Sequence, residues 1–522
     1  MYITQGLHRH MMERPDATAI RYQGRSVTFA ELGERIARLA GALKALGMSS
    51  GECVAMLSRN SQRYIEYAFG VPWGDGVLNP VNTRWSLAEI AYSLDDSEST
   101  VLIVDEAFVE IGLSILKQSR TLRTLIYAGD GEAPAGMLSY EALLAAAEPV
   151  ADARRGGDAL LGIFYTGGTT GFPKGVMISH NNLALAGFAA MSKGLFDRHT
   201  VFLHAMPMFH LADFSALYCL SVSGGMHVLM QAFSGEAALR TIVEEQVNEL
   251  MLAPTMIQMM LDARAANPAL ADVELSSIRH ILYGSSPISP TLLNRAREAF
   301  PRADFFQGYS MTELTAGGTL LDAEYHSEEH HHSGKMYSAG KAVACVELRI
   351  VDTEDNEVPR GTVGEIVVRG PNIMLGYWNK PEATAEVLRD GWMHTGDGGY
   401  MDADGFIFIV DRMKDMIVSG GENIYSAEVE NAVSSHPAVA QCAAIGIPHH
   451  KWGETVHVVI VLKPGHSACE SDIVSHCREL IAGYKCPRSV EFRASLPLSG
   501  VGKILKNELR KPFWEGRTRA IA

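Results

Sequence analysis

Long apolar runs, paired cysteines and surplus positive charge are all missing from this 522-residue chain, and each absence removes a class of function. No uninterrupted apolar stretch approaches the roughly 18–20 residues that span a bilayer. His8, Arg9, Glu13, Arg14 and Asp16 stand where a signal peptide would be apolar. The 7 cysteines are scattered, odd in number and without a Cys-x-x-Cys pair, a pattern of reduced thiols that excludes a disulfide frame or a zinc ribbon. A formal charge of −15 offers no basic face to nucleic acid or an anionic membrane. A cytoplasmic protein is expected, 47% hydrophobic and 20% charged, with no nucleic-acid partner and no transmembrane segment. Its length calls for two or three domains.

What is present centres on Phe164-Tyr165-Thr166-Gly167-Gly168-Thr169-Thr170-Gly171-Phe172-Pro173-Lys174-Gly175. Its glycines let the backbone turn tightly and bring N–H groups close to a ligand. Threonine hydroxyls and a lysine add donors and positive charge, a composition suited to an oligophosphate. It is not a Walker A loop, which ends Gly-Lys-Ser/Thr. Alone it reads equally well as a solvent-exposed loop.

Around it the chain alternates helical and strand-like segments. Thr28 to Leu46 has helical spacing and stops at Gly47; Cys53–Leu57 and Thr100–Val104 read as buried strands; a helix starts near Ser86. Such alternation implies βαβ units and largely parallel sheets covered on both faces. Gly175–Ser179 is a further strand, with capping side chains from Ser179 to Asn182 for the helix after it. A second α/β unit runs to Phe305–Ser310, a β-rich unit starts near Gly340, and Asp411–Lys414 is a charged junction before a small α+β domain.

Five other stretches carry more polar and glycine content than packing requires. His210 follows an apolar strand and could be structural. Tyr283-Gly284-Ser285-Ser286 could be a turn or a place where a planar ring approaches the backbone. Gly308-Tyr309-Ser310-Met311-Thr312-Glu313 could place a hard cation on phosphate oxygens, and also reads as a capping box with Ser310 as cap and Glu313 at N3. His394–Asp397 with Asp411-Arg412 could hold ribose hydroxyls or form surface turns. Lys503 in a Gly-containing turn is a point charge that could meet developing phosphate charge, or a solvated lysine.

Taken together and in this order, these motifs resemble the adenylate-forming superfamily, from about Thr28 to Arg510. Ser419-Gly-Gly-Glu-Asn423 and Lys451-Trp-Gly-Glu454 are most similar to its CoA ligases. The resemblance implies an α/β fold. A large N-terminal domain, residues 1–411, would have two αβαβα subdomains and a small β-rich one. A mobile α+β lid, 412–522, would turn on a hinge at Lys414. It implies attack of a carboxylate on the ATP α-phosphorus and transfer of the acyl group to coenzyme A, with Mg²⁺ as cofactor and a homodimer allowed. By motif, Thr166, Gly167, Gly168, Thr169, Thr170, Gly171 and Lys174 would hold the outer phosphates. Gly284, Ser285, Ser286, Gln307, Gly308 and Tyr309 would frame adenine. Ser310, Met311 and Thr312 would lie by the α-phosphate, Glu313 with Thr169 would hold Mg²⁺, and Asp397 and Arg412 the ribose. Lys503 would bridge carboxylate and α-phosphate. Coenzyme A would meet Ser419, Gly420, Gly421, Glu422, Trp452 and Lys485. The acyl pocket would be lined by His210, Leu211, Phe214, Gly308, Met311, Thr315, Gly317 and Gly318.

The chain departs from the family pattern at Gly167, where a serine is common, and at Leu498 and Val501 beside the lysine loop. The run His330–His332 reads as a solvated loop, since adjacent residues rarely share one ion. The pocket residues are small or apolar, and Leu211 lies about where amino-acid-activating members place a carboxylate. With no carrier domain expected after Arg510, these points favour a medium- or long-chain fatty acid, with a phenylpropenoate or benzoate-type acid close behind. The alternatives are transfer to a carrier protein or other acceptor, and a nucleotide-binding regulator without turnover, which the presence of Lys503, Glu313 and Asp397 argues against.

Overall fold

The computed structural model describes residues 1–166, 172–271, 273–286, 288–327, 330, 333–412, 415–420, 422–498 and 504–515, with the backbone alone at 411, 412 and 423. Local chemistry fixes where the first elements begin. Thr28 accepts from the Glu31 N–H while the Glu31 carboxylate accepts from the Thr28 N–H at 2.8 Å, a reciprocal cap on the helix Phe29–Ala45. Ser86 and Glu89 start the helix Leu87–Asp96 in the same way, and Ser179 and Asn182 the helix His180–Met191.

Among the described residues the first large sheet has eight strands. Its centre is Val77–Pro80, Cys53–Leu57 and Val101–Val104, paired in parallel. Every residue of Cys53–Leu57 is buried, as expected of a strand with helices on both faces. Leu160–Thr166 and Lys174–Ser179 continue this sheet as an antiparallel hairpin, and Gly376–Tyr377 closes its edge against Lys174–Ser179.

A second sheet, nine-stranded among the described residues, is built around Val201–His204, Glu249–Leu252, His280–Gly284 and Asp304–Tyr309. It recruits the N-terminal hairpin: Ile20 pairs in parallel with His227. The sequence reading kept residues 1 to about 160 in the first unit. Alternation reveals strands but not their partners, and this pairing joins segments some two hundred residues apart.

A smaller antiparallel sheet contains Glu347–Val351, Gly364–Arg369, Trp392–Met401 and Ile407–Arg412. His394–Asp397 therefore lies inside a strand and not in a surface turn. The C-terminal segment has its own sheet, Ile417–Ser419, Val439–His449, Gly453–Leu462 and Ser489–Phe492 included, over a core of Val429, Val433, Val458, Ile460 and Ile473. Among the described residues no helix is long and apolar enough to cross a membrane.

Candidate functional site

Thr166 and Lys174, which flank the glycine-rich stretch, pair at the end of an antiparallel hairpin. Gly167, Gly168, Thr169, Thr170 and Gly171 lie outside the described residues. The base of the hairpin is held on one side by Asp96, whose carboxylate accepts from the Tyr165 hydroxyl at 2.7 Å and whose carbonyl accepts from the Trp378 indole at 2.8 Å. Phe172 stacks on Tyr92 with centroids 4.6 Å apart. On the other side the Lys174 ammonium sits 4.9 Å from the Tyr377 ring centroid, and the Tyr377 hydroxyl donates to Glu313 Oε1 at 2.8 Å. Burial, and then the neighbouring Glu313, push the Tyr377 phenol far above its ordinary range, so it stays a donor.

The residues expected to frame adenine lie where His280–Gly284 and Asp304–Tyr309 end together, Gly284 opposite Gly308. A Cβ on Gly284 would stand 2.3 Å from the Gly308 carbonyl oxygen, so the close strand approach demands glycine. Ser285, with φ of 69°, turns the chain away there. The Tyr309 hydroxyl donates to Asp397 Oδ2 at 2.7 Å, and the Asp397 N–H donates to Thr395 Oγ1 at 3.1 Å. Asp397 pairs across the strands with Arg412, whose side chain lies outside the described residues. Gln307 is 3.3 Å from the Tyr283 hydroxyl, which is 2.9 Å from His326 Nε2. Ser286 is half-buried beside them.

The Ser310 capping box does not form. Thr312–Leu314 is a single 3-10 turn that begins after Met311 without a side-chain cap, and the Ser310 hydroxyl instead donates to the Met311 carbonyl. A three-residue turn ending in positive φ at Thr315 has no helix for serine to cap. Glu313, only 6% exposed, points instead to Tyr377. The turn is held by Asn372, whose buried amide donates to the Leu314 and Gly317 carbonyls at 2.8 and 2.6 Å.

His210 precedes the helix Leu211–Ser223, and its ring lies against Phe209. The Asn60 amide holds the preceding turn by donating to the His204 and Met206 carbonyls and accepting from the Met208 N–H. Beneath it Asp213, His204 and His227 form a buried row with contacts of 2.6 and 2.9 Å. Leu211 and Phe214 are buried, and Phe214 meets Phe164 edge to face. At Gly317 and Gly318 a Cβ would stand 3.2 Å from the Asn372 amide nitrogen and 2.6 Å from the Tyr309 carbonyl oxygen, respectively. A Cβ on Gly308 would meet, among the described residues, only a Leu282 methyl, at 3.6 Å.

In the C-terminal segment Ser419 and Glu422 face each other across a short hairpin, and the Gly420 N–H donates to the Trp452 carbonyl at 2.9 Å. Trp452 is stacked by His449, centroids 4.3 Å apart, and by the Arg488 guanidinium at 3.8 Å. Lys485 pairs with Glu428 at 2.7 Å. Gly421, Lys414 and Lys503 lie outside the described residues, as do His331 and His332.

Tyr377, Asn372, Asn60, His326 and Arg488 were not singled out in the sequence. Each acts through a contact with a residue distant in the chain, and nothing in its immediate neighbours marks it.

Two family models match the chain: AMP-binding enzyme over residues 7–378 and AMP-binding enzyme C-terminal domain over 428–503. A feruloyl-CoA synthase from Amycolatopsis sp is 40% identical over 501 residues, 96% of either chain. A fatty acid–[acyl-carrier-protein] ligase, ScoC, from Streptomyces coeruleorubidus is 33% identical, covering 98% of this chain and 96% of its own. Among solved structures, the o-succinylbenzoate CoA synthetase of Bacillus subtilis in complex with its acyl-adenylate intermediate superposes with a TM-score of 0.84 at 31% identity, covering 97% of this chain and 98% of that one.

Proposed function

The chain belongs to the AMP-binding enzymes as an AMP-forming acid–thiol ligase, and from that premise we propose that it activates an aromatic acid of the phenylpropenoate type and passes the acyl group to coenzyme A. The observation that carries the site assignment is one connected series of contacts: Lys174 on Tyr377, Tyr377 to Glu313, and, four residues earlier, Tyr309 to Asp397. It joins the phosphate hairpin to the ribose carboxylate.

In the first step a carboxylate oxygen of the acid attacks the α-phosphorus, the C–O–P bond forms and the bond to the β-phosphate breaks, releasing pyrophosphate. Thr166, Lys174 and the hairpin tip hold the departing phosphates. Asp397 accepts from ribose hydroxyls, and Tyr309 keeps its carboxylate turned toward them. Lys503 neutralises charge between the acid and the α-phosphate. In the second step the thiol attacks the acyl carbon and AMP leaves. As in other phosphoryl transfers, positioning and charge stabilisation are the main work. Glu313 suits Mg²⁺, which takes one or two carboxylates together with phosphate oxygens. No self-sufficient cluster of three or more His, Cys, Asp or Glu exists among the described residues. When bound there, the ion would neutralise phosphate charge. His210 borders the acyl and thiol sides, and Trp452, with Arg488 and His449 against it, offers an aromatic and cationic face to the nucleotide end of coenzyme A. A hinge at Lys414 would bring that face to the adenylate.

The ring preference is supported by the feruloyl-CoA synthase relative. A second reading, transfer to a carrier protein, is favoured by the ScoC relative. Pyrophosphate release measured across hydroxycinnamic, benzoic and straight-chain acids from acetic to stearic tests the substrate. The hydroxycinnamates should exceed stearate in kcat/KM by more than about tenfold; the reverse order would return the assignment to fatty acids. With coenzyme A as sole acceptor, AMP release without thioester would move it to the carrier protein.

A further inference from the structure

We propose that Tyr377 is a positioning residue that holds the phosphate-side lysine and the magnesium-side glutamate apart at a fixed spacing; this rests on the assignment of Lys174 to phosphate and Glu313 to the metal. An ammonium and a carboxylate converging on a half-buried site would ordinarily collapse into an ion pair, neutralising both before a ligand arrives. Here one phenol ring stands between them. Its face takes the ammonium at 4.9 Å, and its hydroxyl donates to the carboxylate at 2.8 Å. Among the described residues the ring is what meets Lys174, and no carboxylate pairs with it. A ring face attracts a cation weakly enough to yield it to a triphosphate.

The ring cannot drift, because the strap that carries it is bonded to both partners. Gly376–Tyr377 pairs with Lys174–Ser179, Tyr377 opposite Val176, and the Trp378 N–H donates to the Gly175 carbonyl at 2.7 Å. On the other side the Met374 N–H donates to the Glu313 carbonyl at 2.9 Å. The Tyr377 N–H is held by Thr384 Oγ1 at 2.9 Å. Two buried amides anchor the strap: Asn182 donates to the Pro371 and Ile373 carbonyls, both at 2.8 Å, and Asn372 to the turn that carries Glu313. The lysine strand and the glutamate turn come from different sheets, so the strap sets their separation.

The test uses the full-length enzyme. Tyr377→Phe keeps the ring beneath Lys174 and removes the donor; Tyr377→Leu removes both; Glu313→Gln tests the metal assignment itself. Three quantities are read: Mn²⁺·ATP binding by water-proton relaxation, the Mg²⁺ dependence of ATP–pyrophosphate exchange, and thioester formation from supplied acyl-adenylate. Y377F should raise half-saturating Mg²⁺ and weaken Mn²⁺·ATP by about tenfold, the loss of one charge-assisted hydrogen bond. ATP affinity at saturating Mg²⁺ should stay within about twofold. Y377L should add about a threefold loss of ATP affinity at saturating metal. Thioester formation from supplied adenylate should not change in either variant. If E313Q shifts the metal titration and Y377F superposes on wild type, the role of Tyr377 is overturned while the metal assignment stands. If E313Q itself leaves the titration unmoved, the metal assignment falls and the spacer role with it. Y377F preserves the packing of the ring, so the decision does not depend on Y377L folding.

Discussion

The two faces assigned to the two half-reactions are built by different physics. On the adenylate face, Glu313 and Asp397 are each met by a tyrosine hydroxyl at 2.8 and 2.7 Å, and the Glu313 turn is pinned by the buried Asn372 amide. On the Trp452 face, the indole is flanked by His449 and Arg488 in stacked contacts, and Lys485 holds Glu428 in a surface ion pair. Directional bonds to a buried and a half-buried carboxylate preorganise charge. Stacked cations in water attract a ligand through a field that salt screens. The division suits the chemistry: the first step needs reacting atoms aligned against a resistant carboxylate, and the second starts from an activated acyl group.

The strongest way to break that division is Lys503, which belongs by position to the C-terminal segment and by assignment to the adenylate. Lys503→Ala should slow adenylate formation by about 10²–10³-fold, as loss of a charge-stabilising group does. Thioester formation from supplied acyl-adenylate should be spared. Equal loss in both steps would contradict the role.

Tyr309→Phe tests the preorganised side. Without the hydroxyl, Asp397 keeps its charge and loses its orientation, and the KM for ATP should rise about tenfold, with the KM for coenzyme A unmoved. A variant with unchanged ATP kinetics would leave the tyrosine as packing alone. Trp452→Ala tests the other side: the KM for coenzyme A should rise about fivefold, in the range of a lost stacking partner. The wild-type KM for coenzyme A should also climb with ionic strength more steeply than that for ATP. Equal salt slopes would mean that the two faces do not differ in kind.

How far the sequence could be read follows the same line. Elements written by local chemistry were legible: the helices starting at Thr28 and near Ser86, the capping side chains from Ser179, and the strand Cys53–Leu57. Of the motif residues, Tyr309 and Asp397 do come together, while Glu313 is met by Tyr377. What was not legible depends on distant pairing. The N-terminal hairpin joins the second sheet, Gly376–Tyr377 travels back to the first, and Ser310 caps nothing because Thr312–Leu314 is a turn too short to be a helix. Gly317 and Gly318 are closely approached where a Cβ would point, by the Asn372 amide and the Tyr309 carbonyl. Absence of a side chain signals close approach as readily as a cavity.

The smallest expected effect separates the faces by pH. Burial pushes the His326 imidazole down to about 4. Its Nδ1 lies 3.3 Å from the Asp322 carbonyl, which can only accept, so Nδ1 carries the proton and Nε2 accepts from Tyr283 at 2.9 Å. An unfolded histidine titrates near 6.5, so the unfolded chain binds the extra proton first, at about pH 6.5. The stabilisation from neutral His326 is therefore fully present above that pH and is lost progressively as pH falls toward 4. At pH 5.5 the loss should be about 1 kcal/mol. His326→Gln, which can still accept from Tyr283 and donate to Asp322, should flatten the fall in unfolding free energy, measured in urea, between about pH 7 and 5.5, by roughly that amount. His449→Gln, at a half-buried imidazole also held below its ordinary value, should change the fall less. A pH slope unchanged by H326Q, or changed equally by H449Q, would show that burial around Tyr283 does not hold the adenine side in its neutral form.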